Sequence, residues 1–367
     1  MREPVELATA PRQLHRAHRD AIRIGLAIPL QGPGGIFGPS CEAVSELLRR
    51  RLNEHSGVLG RPVELEVIDA GRPVAEVAGE VRDLIDRGRI DALTGWHISS
   101  VRNGLAPVTA DRIPYAYTSL YEGGERRPGV FCAGETPDRQ IRPALAWMRE
   151  QLGLTRWHIV GSEYVWPRRS ATVAAGYLRD LGLDLVSTSF TRFDSEHFEG
   201  VLDHIERARP ADGVLMFLVG QDAVHFNRQF AARGLDRQLV RLSPLMEENM
   251  LLASGPDAVR DLYVAAGYFR SLPTGGSMDF VGDYGAEFGP EAPPLNNQGE
   301  SCYEGIRLLT RLFDAAGSTS LRDVLRVAEG LTYDSPRGTV HLRGGHLHQS
   351  VYLARAETAD FDILTSL

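Results

Sequence analysis

Val214-Leu215-Met216-Phe217-Leu218-Val219 (VLMFLV) is six apolar residues in succession. A strand with one face in water alternates apolar with polar residues, so a continuous run of this kind suits a sheet covered on both faces. The same kind of short apolar run recurs from Ile22 onward, and strands are expected over residues 22–28, 63–68, 92–94, 115–117, 157–160, 185–190, 214–219, 239–242 and 262–266. Between them the apolar period changes. After Gly38, residues Cys41, Val44, Leu48 and Leu52 share one helical face while Arg49, Arg50 and Arg51 turn mostly away. Residues 74–87, 139–151, 171–181 and 223–233 have the same character. Strands alternating with helices imply βαβ units, parallel sheets and right-handed crossovers, that is, a doubly wound α/β fold. A chain of 367 residues exceeds one compact core and points to two such sheets.

Bulk composition narrows the function. With 43% hydrophobic and 24% charged residues the chain is an ordinary globular protein. A formal net charge of -8 argues against a nucleic-acid partner, because phosphate binding needs clustered Lys and Arg. Cys41, Cys132 and Cys302 are far apart and form no CxxC, so they read as buried free thiols. The start, MREPVELATAPRQLHRAHRDAIRIG, contains no apolar h-region, and nothing elsewhere approaches a membrane span. Taken as a native start, it implies a cytoplasmic protein; with a leader missing, a periplasmic or extracellular one.

Catalytic and metal motifs are hard to find. QGPGGIFGP lacks the Lys and Ser/Thr of a phosphate loop and reads as a tight turn into a helix. His346 and His348 share a strand face near His341, but no third ligand stands at a recognised spacing, and the intervening Gly-Gly reads as a hairpin turn. Glu247 and Glu248 are adjacent and read as residues that cap and solvate a helix. No nucleophile elbow, HExxH or kinase set is present, so neither an enzyme nor a cofactor or metal site is expected.

In doubly wound folds ligands bind beyond the carboxyl ends of the strands. There the chain offers GWHISS, TSLYEGG, GSEYVWP, GQD and SPLMEEN: hydroxyls, aromatics and glycines. Ser99 and Ser100 stand where a strand gives way to a helix, as N-caps or as part of a site for a ligand oxygen.

These motifs carry a resemblance. IRIGLAIPLQGPGGIFG, followed by a helix and GVLGRPVELEVIDAGRP, resembles the N-terminal signature of type I periplasmic solute-binding proteins of the branched-chain amino acid class. GWHISSVRNGLAPV, IPYAYTSLYEGGERRPGVFCAG and HIVGSEYVWPRRS resemble more narrowly the amide-sensing regulator of amidase operons and its relatives that bind urea and short-chain amides. The resemblance covers residues 22–355. It implies two α/β lobes joined by three hinge crossings near Pro137, Gly267 and Ser335, closing over a small ligand. Residues 1–21 would then be a tail, 22–137 and 268–335 the first lobe, and 138–267 and 336–367 the second. Carried over position by position, the ligand-binding residues are Ser99, Tyr117, Ser119, Tyr164 and Trp166, with His97, Gly220 and Ser243 beside them. The amide sensor has tyrosine at His97, threonine at Ser119, proline at Leu120 and tyrosine at Trp166, so the ligand need not be the same.

Three hydroxyls, two phenols and an indole suit a small amide, whereas an α-amino acid would want an acid from the second lobe, with Glu163, Asp222, Glu247 and Glu248 as candidates. The expected function is a non-enzymatic sensor that closes on a short amide, urea or amino-acid-like molecule and signals to a protein regulator. The alternative is the substrate-binding component of an ABC importer, with a permease as partner. A homodimer through the first lobe is compatible with either.

Overall fold

The computed structural model describes residues 21–208 and 210–367, so the expected tail lies, Ala21 apart, outside the described residues. Strands β1 (Ile22–Ile28), β2 (Val63–Asp69), β3 (Ala92–Gly95), β4 (Tyr115–Tyr117) and β5 (Val130–Cys132) pair in parallel in the order β5-β4-β3-β1-β2. The chain then crosses to a second sheet. There β6 (Arg156–Ser162), β7 (Asp184–Thr191), β8 (Gly213–Phe217), β9 (Val240–Ser243) and β10 (Leu262–Ala266) pair in parallel in the order β10-β9-β8-β6-β7. After Gly267 it returns, adding β11 (Thr332–Ser335), β12 (Gly338–Arg343) and β13 (His346–His348) outside β5. A third crossing leads to β14 (Tyr352–Glu357) and β15 (Asp360–Ser366), which extend the second sheet beside β10. The result is the expected fold class, two α/β lobes with three crossings between them.

Val214–Phe217 of the opening run form most of β8, between β6 and β9, and Leu218 and Val219 follow it; all six are buried. The expectation of parallel sheets needs correction. β11, β12, β13, β14 and β15 form antiparallel pairs at the sheet edges, so both sheets are mixed. The Gly344-Gly345 turn joins β12 to β13 with both glycines at positive φ, as the hairpin reading requires. Residues 338–348, expected in the second lobe, are hydrogen-bonded into the eight-stranded sheet. The third crossing therefore follows His348 rather than Ser335, because β12 pairs with β11 and β13 docks on β5.

A single cluster of buried apolar side chains joins Leu26, Ile28, Phe37, Trp96 and Leu120 of the first lobe to Trp166, Phe217 and Met246 of the second. The lobes thus meet face to face at the carboxyl ends of their strands.

Candidate functional site

On the first lobe, the turn after β3 leads into the helix Ser99–Thr109. Ile98, not a serine, takes the N-cap position, which corrects the capping reading; Ser99 is the first helical residue. Its Oγ donates to Glu122 Oε2 at 2.6 Å and lies 3.5 Å from the Tyr117 hydroxyl. His97 is fully buried, with Nδ1 2.9 Å from the Ala27 carbonyl and Nε2 2.6 Å from the Tyr115 hydroxyl. Burial pulls its pKa down to about 4, so it is a neutral support under Tyr117, whose ring centroid is 5.2 Å away. Ser119 is buried beside them.

On the second lobe, GSEYVWP runs from the end of β6 (Gly161, Ser162) through a two-residue bend into the first three residues of a helix. Tyr164 is the N-cap of the helix Val165–Asp180, and Trp166 lies in its first turn. Trp166 is buried edge-on against Phe217, 5.7 Å between centroids, as part of the core. Tyr164 remains half-buried between Trp166 and Phe193, its phenol pushed well upward by burial and by the charges of Tyr117, Glu122 and Asp222 if ionised. Two of those three groups belong to the other lobe or its loops, so Tyr164 faces across the cleft. Gly220, at φ 52°, brings its Cα so close to the first lobe that a Cβ there would stand 1.9 Å from the Pro33 carbonyl oxygen. Ser243 Oγ is committed to its own turn, donating to the Leu245 carbonyl at 3.0 Å and accepting from the Leu245 N–H at 3.2 Å.

The acidic candidates separate cleanly. Glu163 is exposed and paired with Arg168. Glu247 and Glu248 are buried rather than solvated: Glu247 accepts from the Asn297 N–H at 2.9 Å and Gln298 Nε2 at 2.5 Å, and Glu248 from the Arg270 N–H at 2.8 Å. Asp222 is buried at the cleft side of β8, held by Ser162 Oγ at 3.0 Å and by the Asp194 and Ser195 N–H groups at 3.2 Å each. Burial raises its pKa to about 6.

Two residues escaped the sequence reading. Glu122, in the loop after β4, is fully buried through its side chain and receives Arg102 Nη2 at 2.8 Å as well as Ser99. Arg102, one helical turn beyond Ser99, stacks over Tyr121 at 4.6 Å and Tyr117 at 5.3 Å, with Nε 3.6 Å from Glu125. Arginine among Val101, Leu105 and Ala106 on an otherwise apolar helix face was the available signal, since a buried cation demands a partner.

Cavities lie on either side of this cluster. One of about 590 Å³ is lined by Tyr121, Glu122, Thr136, Tyr177, His346 and Gln349. Another of about 260 Å³ is lined by Gln31, Pro33, Arg72, Trp96, Ile98 and Phe193. Each draws side chains from both lobes. Among the described residues no three His, Cys, Asp or Glu side chains gather as a metal site. His341 and His348 face each other across the β12–β13 hairpin, and His346 meets the Tyr121 hydroxyl. The three cysteines are buried and unpaired. No helix among the described residues is long and apolar enough to cross a membrane.

The family model described as periplasmic binding protein matches residues 21–360. The chain belongs to that family. Solved structures agree in fold. A solute binding protein of an ABC transporter from Rhodopseudomonas palustris BisB5, in complex with 3,4-dihydroxybenzoic acid, superposes with a TM-score of 0.86 at 19% identity, covering 95% of this chain and 98% of the other. An ABC transporter substrate-binding protein from Sphaerobacter thermophilus gives 0.82 at 22% identity, with 95% and 98% covered. A leucine binding protein from Thermotoga maritima MSB8 gives 0.83 at 18%, with 95% and 99% covered.

In this periplasmic binding protein the three crossings converge on one guanidinium. Arg337, buried between β11 and β12, donates from Nη1 to Gln349 Oε1 at 2.8 Å, from Nη2 to Asn297 Oδ1 at 3.0 Å and from Nε to Glu300; its Nη1 also lies 3.5 Å from Glu135. Glu135 in turn accepts the Gly267 N–H at 2.6 Å, and Gln349 Nε2 donates to the Ala133 carbonyl at 3.0 Å. Residues 133–135, 267 and 349 are the three crossings. One cation faces Glu135, Glu300 and Glu304 and cannot neutralise all three, and burial pushes Glu300 up to about 8 and Glu304 up to about 6.

Proposed function

We propose that this chain is a non-enzymatic solute-binding protein, the substrate-binding component of an ABC importer, that closes its lobes on a short amide, urea or amino-acid-like molecule. The observation that carries the reading is the meeting of two walls: Ser99 and Tyr117 on one lobe face Tyr164 on the other, with Gly220 pressed against the Pro33 carbonyl. Family membership and the fold likeness to ABC-transporter solute-binding proteins support import over the cytoplasmic sensor, which rests on sequence motifs alone. Import also places the protein outside the cytoplasmic membrane with a permease as its partner. Closure does work only if ligand binds the closed arrangement better than the open one, and a cleft with one wall on each lobe meets that condition.

A thermal-shift screen over short amides, urea, branched-chain amino acids and aromatic acids tests the reading. A ligand at ~100 times its dissociation constant adds about 2.7 kcal/mol. Ser99→Ala and Tyr164→Phe should each weaken a confirmed ligand several-fold. A flat panel would reject the ligand class, and unchanged affinity in both variants would reject the site.

A further inference from the structure

Ser99 opens an eleven-residue helix whose exposed N–H groups and positive end suit an anion. That position is already occupied by the protein's own carboxylate. Glu122 Oε2 accepts Ser99 Oγ at 2.6 Å, and its Oε1 accepts Arg102 Nη2 at 2.8 Å. The charge count around it is unbalanced. Arg102 is the buried cation, and it faces two buried carboxylates, Glu122 and Glu125, while Arg127, the other partner of Glu125, is half-exposed. Across the cleft stands a third carboxyl, Asp222, with Tyr164 beside it. A ligand approaching Ser99 therefore meets acceptor lone pairs and a surplus of negative charge.

We propose that Glu122 sets the charge class of the ligand: it fills the anion position at the start of the helix Ser99–Thr109, so the cleft accepts N–H donors, neutral amides and ureas or cationic amidines, and refuses carboxylates. This rests on the cleft being the ligand site. The physical basis is the cost of bringing a second carboxylate into a buried place whose one guanidinium is already shared, against the gain when an amide or amidinium N–H reaches Glu122. Glu122 is thereby a specificity residue, and Arg102 positions it.

Isosteric probes differing only in charge test this on the full chain: acetamidinium, acetamide and acetate, and in parallel benzamidinium, benzamide and benzoate, each titrated calorimetrically at pH 7.5. Within whichever set binds, the carboxylate should be at least tenfold weaker than the amide. Glu122→Gln, which keeps an acceptor for Ser99 and removes the charge, should improve the carboxylate at least tenfold relative to the amide. If that variant does not fold, the wild-type series decides alone. A carboxylate bound as tightly as its amide by the wild type overturns the proposal. Charge-blind binding that Ser99→Ala abolishes overturns the role of Glu122 and leaves the cleft standing. No binding by any of the six probes overturns the cleft as a site for this ligand class, and the proposal with it.

Discussion

Arg337→Met should cost the protein about 3–5 kcal/mol of stability. The guanidinium is almost wholly buried, as are Glu300 and Glu135, its charged neighbours. Methionine keeps the apolar stem of the side chain, though two bonds shorter, and removes the charge and the donors. What remains is Glu300 without its hydrogen bond, Glu135 without its nearby cation, and unpaired oxygens on Gln349 and Asn297. Losing one partner of a buried pair strands the other, which is why the cost exceeds the net worth of the pair. Arg23→Met is the control. Arg23 Nε meets Glu64 Oε2 at 2.9 Å, but with the side chains 33% and 54% exposed solvent screens the pair and its loss should cost little. Both variants are compared with wild type by urea denaturation followed by far-UV circular dichroism, using midpoint and slope. Adding Glu135→Gln to Arg337→Met, which removes the charge left without its cation, should recover part of the loss. If Arg337→Met costs no more than Arg23→Met, the reasoning about the buried hub is wrong.

Glu300 keeps its proton in the folded protein up to about pH 8, whereas an unfolded glutamate releases it near 4.5. Across that window the unfolded chain binds fewer protons, so stability falls as pH rises. His97, pulled down to about 4, opposes this only below about pH 6.5, leaving pH 6.5 to 8 as the clear window. There the raised Glu300 makes stability fall as pH rises. Urea midpoints should decline from pH 6.5 to 8 in the wild type and less steeply in Glu300→Gln, where the buried Glu247 and Glu248, also raised, still contribute; a midpoint that rises with pH would contradict the assignment. Gly220→Ala places a methyl 1.9 Å from the Pro33 oxygen, at φ 52° and ψ -119°, a backbone region that costs a non-glycine residue about 1–3 kcal/mol. The lobes should part, raising the radius of gyration in small-angle scattering and weakening a confirmed ligand at least tenfold, about 1.4 kcal/mol. Wild-type affinity in that variant would show that closure does not need this contact.

The fold was legible where burial was uniform. VLMFLV and IRIGLAI carry their message locally, and each expected strand falls on an observed one. β5 is three residues, Val-Phe-Cys, too short to show any period, and the antiparallel strands at the chain end are held by edge pairing, which sequence periodicity does not report. The third crossing was misplaced because its position was carried over from the resemblance, while hydrogen bonds carry the chain on through β12 and β13. In the cleft, Ser99, Tyr117, Ser119 and Tyr164 were named through the family resemblance carried by the motifs around them. Glu122 was not, because its meaning depends on Arg102 twenty residues earlier on another element. His97 and Trp166 were placed in or beside the site by the same resemblance; both are buried, packed against Tyr117 and Phe217, a surrounding that sequence does not report.

The convergence of 135, 267 and 349 on Arg337 bears on how the molecule bends. All three tethers reach a side chain fixed in the eight-stranded lobe, so the first part of every connection moves with that lobe as one rigid piece. Torsion is then confined to the short stretches beyond the tethers, such as 136–137 and 350–351. Three pins set side by side leave little freedom except rotation about one axis. Because Tyr164 and Gly220 both stand on the second lobe, a turn of that lobe about the pinned crossings would carry the two together, like one leaf of a shutter.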